Sequence, residues 1–217
     1  MTALVVVGAG GFGRETLDVV EAINRAAAAP TYYVLGVVDD APSDLALARL
    51  AARGAAHLGS IAAWLATRPS ADYLIGIGDP ATRRTLDEAL SAAGLRAATA
   101  VHPNAVVGSL CSFGEGTVIC AGVQVSTNVH LGRHVHVNPN ATIGHDAVIE
   151  DFVSINPGAT ISGDCRLESE TYVGSSAVIL QGLRTGRSSI IGAAACVIRD
   201  VQPRLTLVGV PAKAMTR

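Results

Sequence analysis

A strict period of six runs through the second half of this chain. Val101, Val107, Phe113, Ile119, Val125 and Leu131 begin a series that reaches Ile191 and Val197, with only Phe113 and Thr185 departing from an aliphatic side chain. Neither a helix nor an ordinary strand repeats every six residues; a solenoid of very short strands does. Three hexads close one triangular coil, so the series predicts between five and six coils. Residues two before each repeat position are small or branched (Cys111, Thr117, Ala141, Ala159, Cys165), and both sets are expected to point inward. Glycine (Gly108, Gly114, Gly132, Gly144, Gly174, Gly186, Gly192) or asparagine (Asn138, Asn156) often follows the aliphatic residue, which suits corners needing unusual backbone angles. The register is unbroken, so no long loop is expected, and the tail from Leu207 to Lys213 leaves the repeat. A prism with flat sides cannot leave all of them in water, so trimer formation along the faces is the expected solution.

The residues ahead of the repeat read differently. Residues 3–7 (Ala-Leu-Val-Val-Val) form a short apolar run into Gly8-Ala9-Gly10-Gly11-Phe12-Gly13, then a helical pattern with Leu17, Val20 and Ile23 on one side. A second strand from Tyr33 to Val38 ends in Asp39-Asp40, and a third from Tyr73 to Ile77 ends in Gly78-Asp79-Pro80. Two short helices near 44–53 and 60–67, and one from Ala81 to Ala93, complete the pattern. Alternating strands and helices imply an α/β, Rossmann-like domain over 1–100 with ligands at the carboxyl ends of its strands, followed by a β-solenoid domain with its tail over 101–217. Gly8, Gly10 and Gly13 match a dinucleotide fingerprint, but one half-unit is too little for a dinucleotide. A nucleotide or nucleotide sugar is the better fit, with a plain tight turn as the alternative.

A formal net charge of -2 and no basic run disfavour a nucleic-acid partner. No apolar run approaches the length that spans a bilayer, and Met1-Thr2-Ala3-Leu4 lacks the charged head of a signal peptide, so membrane insertion is not expected and a cytoplasmic location is. Cys111, Cys120, Cys165 and Cys196 form no CxxC pair and read as small buried hydrophobes rather than disulfides or metal ligands.

His145, in Ile143-Gly144-His145-Asp146, offers the plainest chemistry. Two residues past Ile143 it falls on a corner, where Asp146 could bind one ring nitrogen, fix the tautomer and raise the basicity of the other. The competing reading is a solvated histidine beside a chance acid. His130, His134 and His136 do not converge and are read as surface or trimer-interface residues. Asn138 and Asn140 lie near His145 in sequence, where turn formation is the simplest role. Zinc, as in the gamma-type carbonic anhydrases with similar coils, would need two histidines close together on one face; no such pair exists, so no metal is expected.

The combination of Gly8-Ala9-Gly10-Gly11-Phe12-Gly13-Arg14-Glu15, Val38-Asp39-Asp40, Ile77-Gly78-Asp79, the hexads, Gly144-His145-Asp146 and Gly209-Val210-Pro211-Ala212-Lys213 resembles the hexapeptide acyltransferases of the sialic-acid O-acetyltransferase and nucleotide-4-amino-sugar N-acetyltransferase family. The resemblance covers essentially the whole chain. It implies a Rossmann-like domain ahead of a left-handed parallel β-helix, a homotrimer, acetyl-CoA as co-substrate between neighbouring β-helices, and a nucleotide-linked amino sugar on the N-terminal domain. By the same resemblance His145 is the catalytic base and Asp146 its support, Asn138 lines the same pocket, and the Gly163 N–H faces the thioester oxygen. Ser175 and Ala193 line the pantetheine channel, and Gly10, Gly11, Asp39, Asp40 and Gly78 contact the nucleotide sugar. Two positions depart from the family. Phe12 stands where many relatives have histidine near the sugar, and Ser154 where some have histidine near the acetyl-CoA thiol end. Direct transfer is implied, with O-acetylation of a sugar hydroxyl or a non-catalytic nucleotide-sugar-binding trimer as the alternatives.

Overall fold

The computed structural model describes residues 1–67 and 69–215. Its first part is a parallel sheet of three strands in the order β2-β1-β3: β1 (Thr2–Val7), β2 (Tyr32–Val38) and β3 (Asp72–Ile75). Helices α1 (Gly11–Ala26), α2 (Asp44–Ala52), α3 (Ile61–Ala66) and α4 (Pro80–Ala92) connect and cover it. The continuous apolar run of β1 is explained by burial on both sides, since Leu4, Val5, Val6 and Val7 are all fully buried. Ser43, Ser60 and Asp79 cap α2, α3 and α4 by accepting from Ala46, Ala63 and Thr82 N–H.

From Ala100–Val101 to Cys196–Val197 the chain forms seventeen two-residue strands, β4–β20, stacked 18 residues apart into three parallel sheets. The fold is a left-handed β-helix of about six turns. We number the faces in chain order: face 1 starts at Ala100–Val101, face 2 at Val106–Val107 and face 3 at Ser112–Phe113. Repeat residues such as Ile119, Leu131, Ile143, Ile149, Ile155 and Ile161 are fully buried down the prism axis. The tail does not simply leave the repeat. β21 (Thr206–Val208) pairs in parallel with Ile190–Ile191 and so extends face 1, and β22 (Lys213–Ala214) folds back antiparallel on it.

Corner chemistry differs from the expectation. From Val107 to Ile191 the left-handed backbone lies three residues after each repeat position, not one. It is adopted by Asn128, His134, Asn140, Asp146, Phe152, Asp164, Glu170 and others, with φ from 51° to 63°. The glycines one residue after the aliphatic serve close stacking instead. A methyl group on Gly108 would lie 2.7 Å from the Ser126 carbonyl carbon, and one on Gly144 would collide with the Gly163 backbone.

The two parts share one apolar core, in which Leu4, Val19, Val20 and Leu74 join the coil interior. His134 and His136 sit in this junction and are fully buried, not at the surface as expected; only His130 is exposed. They lie on the 3–1 corner and on face 1, whose lower coils the α/β part covers. The four cysteines are free, with Cys120 and Cys165 buried but Cys111 and Cys196 only half-buried near the solenoid ends. Among the described residues no helix is long and apolar enough to cross a membrane, and no cluster of three metal-ligating side chains forms.

Candidate functional site

At the carboxyl ends of β1–β3 the glycines divide into two kinds. Gly8, Gly13 and Gly76 are packing residues: a Cβ on Gly13 would overlap the Gly8 carbonyl, and one on Gly76 would overlap Gly13. Gly10, Gly11 and Gly78 face open space with nothing within 4 Å of a Cβ, and all three are exposed. Gly10 is the N-cap of α1 and brings no side-chain cap, so the first N–H groups of a 16-residue helix are directed at that opening. Asp39 holds the turn, accepting from Ala9 N–H (2.7 Å) and Ala41 N–H (2.9 Å). Asp40 accepts from Ile61 N–H (2.8 Å) through Oδ1 at the start of α3. Phe12, in the first turn of α1, lies 4.6 Å from the ring of His136.

On the corner between faces 2 and 3, His145 Nδ1 is 2.7 Å from Asp146 Oδ2, and Asn128 Nδ2 donates to Asp146 Oδ1 at 3.1 Å. These two hydrogen bonds, that of His145 first, hold the Asp146 carboxyl below its usual range, so it is ionised and keeps the proton of His145 on Nδ1. The His145 side chain is 61% exposed, which leaves Nε2 free. Gly163 sits one coil above, where a methyl group would lie 2.5 Å from His145 Nε2. Absence of a side chain at 163 therefore makes the space that the imidazole occupies.

The remaining positions lie elsewhere on the prism. Ser175 and Ala193 are exposed on the corner between faces 1 and 2, one coil apart. Asn138 begins the same corner two coils lower but is buried, donating Nδ2–H to Ile155 O at 3.1 Å. Ser154 departs from the expectation of a cofactor contact. It is 1% exposed on face 1, donates to Gly78 O (2.8 Å) and accepts from Arg83 Nη2 (3.0 Å), so the junction closes it to any ligand. Within one chain, then, the sequence-selected residues occupy three separate places.

Sequence reading missed the junction itself. Arg83 of α4 is fully buried, and Asp87, one turn on, accepts from Arg133 (2.7 Å) and from His134 Nε2 (2.7 Å). Burial works to raise the Asp87 carboxyl, but hydrogen bonds from His134, Arg133 and Tyr73 outweigh it and hold it far below the ordinary range. Burial lowers the pKa of His134 against the pull of Asp87, so a neutral ring donates to an ionised carboxylate. A usable signal existed: Arg83, Asp87 and Leu90 are spaced i, i+4, i+7, the stripe of a helix face turned inward.

Residues 3–90 match the family described as PglD N-terminal domain. Over 150 residues the chain is 33% identical to the GDP-perosamine N-acetyltransferase of Escherichia coli O157:H7, a match covering 69% of this chain and 65% of that protein, just under two thirds of its length. By sequence the chain is thus similar to a GDP-perosamine N-acetyltransferase, and its N-terminal part to the PglD N-terminal domain. Two solved structures superpose along the whole length of this chain. PerB from Caulobacter crescentus, in complex with CoA and GDP-perosamine, is 25% identical with a TM-score of 0.88, covering 100% of this chain and 98% of that one. The acetyltransferase domain of PglB from Neisseria gonorrhoeae FA1090, in complex with acetyl coenzyme A, is 28% identical with a TM-score of 0.84, covering 99% of both chains. In this chain the coils form the frame that holds His145, Asp146 and Gly163 on one corner.

Proposed function

We propose that the chain is an acetyl-CoA-dependent N-acetyltransferase acting on the amino group of a nucleotide-linked amino sugar, with a GDP-linked 4-amino sugar as the first candidate. The observation that carries the reading is the corner of His145, Asp146 and Gly163: an exposed imidazole, oriented by an ionised carboxylate, beneath a glycine whose missing side chain leaves room for the ring. A relative 33% identical that is named for GDP-perosamine supports the acceptor class.

Acetyl-CoA supplies the activated acetyl group. His145 Nε2 takes the proton that the sugar amine loses as it attacks, and returns it to the departing thiolate. Asp146 keeps the Nδ1 proton in place while the ring carries positive charge. The Gly163 N–H donates to the carbonyl oxygen as negative charge builds there. Gly10, Gly11, Asp40 and Gly78 hold the nucleotide sugar over the carboxyl ends of the sheet, within an N-terminal domain of residues 1–100.

The site is completed by a homotrimer. Outward positions on face 2 above the first coil (Gln124, Thr142, Thr160, Val178, Cys196) carry no charge, whereas face 3 presents His130, Arg166 and Arg184. The lower coils of face 1 are covered by the α/β part, which buries Val118, His136 and Ser154. A threefold assembly with face 2 toward the axis brings the corner of His145 and Gly163 in one copy against the corner of Ser175 and Ala193 in the next. The pantetheine arm lies in the groove between them.

Release of free CoA from acetyl-CoA, measured with GDP-, UDP- and dTDP-linked 4-amino sugars, tests the reading. CoA release that depends on the amine is expected, and His145→Ala should lose about 10²-fold or more in kcat, the scale of general-base catalysis. Full activity in that variant would retire His145 as the base. Release with hydroxyl acceptors alone would make the enzyme an O-acetyltransferase.

A further inference from the structure

Arg83 makes contacts that adhesion between the two parts does not require. Its Nε donates to His134 O (2.9 Å), and Nη1 to Ile77 O (2.8 Å) and Gly78 O (3.3 Å). Nη2 donates to Phe152 O (2.7 Å), Val153 O (3.2 Å) and Ser154 Oγ (3.0 Å). Ser154 Oγ in turn donates to Gly78 O (2.8 Å), closing a ring of guanidinium, hydroxyl and carbonyl. All six acceptors are main-chain carbonyls or a hydroxyl. A planar fork of five donors can meet them together, and an ammonium with three donors on one nitrogen cannot.

Adhesion is provided separately, by the shared apolar core and by the bonds of Asp87 to Arg133 and His134. What Arg83 adds is registry. On one side it holds the carbonyls of Ile77 and Gly78, which belong to the loop after β3; on the other it holds three successive residues of one coil, Phe152, Val153 and Ser154. Gly78 is exposed with open space where a side chain would be, so the loop it anchors is the wall of the ligand opening.

We propose that Arg83 is a positioning residue which, with Ser154, fixes the Gly78 loop at one height on the coils and thereby sets where the bound acceptor sugar meets the catalytic corner. This assignment rests on the proposed acetyl transfer to a nucleotide sugar. Neither residue touches the reacting atoms.

Ser154→Ala removes one hydroxyl and leaves the core intact, and Arg83→Lys keeps the charge without the fork. Ser154→Ala is expected to lower kcat/KM for the nucleotide amino sugar about tenfold, and Arg83→Lys by more, on the scale of a buried hydrogen bond left unpaired. The KM for acetyl-CoA, and transfer to a small amine lacking the nucleotide, should not change in Ser154→Ala, because neither uses the Gly78 loop. The two effects should combine to less than their product, since both act through the Gly78 carbonyl. Equal losses with both acceptors, or no loss with either, would overturn the assignment. Should the unaltered protein acetylate none of these acceptors, the transfer reading itself fails. Amide exchange over residues 76–79 then decides: faster exchange in Ser154→Ala supports the pinned loop, and unchanged exchange removes it.

Discussion

Two glycines one coil apart, Gly144 and Gly163, show how one residue type serves two ends. A methyl group on Gly144 would collide with the Gly163 backbone, which cannot move without opening the stack between coils. On Gly163 it would meet only the His145 ring, which is free to swing into solvent. Gly144→Ala is therefore expected to cost stability, about 1–3 kcal/mol as for other overpacked sites, read from the urea midpoint. Gly163→Ala should leave that midpoint within about 0.5 kcal/mol of the original, as for a surface change, while transfer falls at least tenfold because the base is displaced. The reverse pattern would mean that His145 does not work from this rotamer. The pairing of His145 with Asp146 was legible in the sequence because the two residues are adjacent and the period of six places them on a corner. The meaning of the glycines was not. Glycine can supply either a left-handed angle or close approach, and spacing alone does not say which; in these coils Asn, Asp and even Phe152 adopt the left-handed angle.

Among the elements, the α/β part and the solenoid were each legible, since apolar runs, glycine turns and capping residues mark their strands and helices to within about two residues. Their junction was not, because it is built from charged and polar residues that look solvated on α4 and on the coils. His134 and His136 are its titratable core. Burial lowers the pKa of His134, with Asp87 partly offsetting, and lowers that of His136 further, where Arg83 and His134 add to the effect. An unfolded chain would protonate each at about 6.5. Both rings are thus neutral in the fold, so stability is at its full value above that pH and is lost as the pH falls toward the folded values. The expected slope is up to about 1.4 kcal/mol per pH unit for each histidine, from urea unfolding at pH 7, 6 and 5. Asp87, depressed in the fold, adds a second loss only below about pH 4, where the unfolded carboxyl takes up its proton. His136→Phe should flatten the first slope by about one proton. An unchanged slope in that variant would place the acid sensitivity elsewhere.

At the scale of the whole molecule, one chain keeps the residues of the proposed site apart: His145 and Gly163 on one edge of face 2, Ser175 and Ala193 on the other. No period in the sequence could reveal this, because the repeat fixes which corner each residue occupies but not which corner of another copy it meets. The proposed trimer makes a strong claim about complementation. His145→Ala inactivates the edge that donates the base. Ala193→Trp fills the opposite edge, proposed to hold the pantetheine arm, and its exposed position lets the fold accept the larger ring. Each variant alone should be inactive. Mixed in equal amounts, unfolded and refolded together, they should recover about a quarter of the original activity, because in a threefold ring about one junction in four joins an intact base edge to an intact channel edge. Thr160→Arg, which places a charge on face 2, should abolish that recovery and shift the sedimentation of the assembly toward single chains. A site contained within one chain would give no recovery at any mixing ratio, because every chain in the mixture would carry one of the two lesions. Recovery near a quarter can arise only if the base and the channel come from neighbouring copies, so the mixing curve reads the architecture of the site directly from activity.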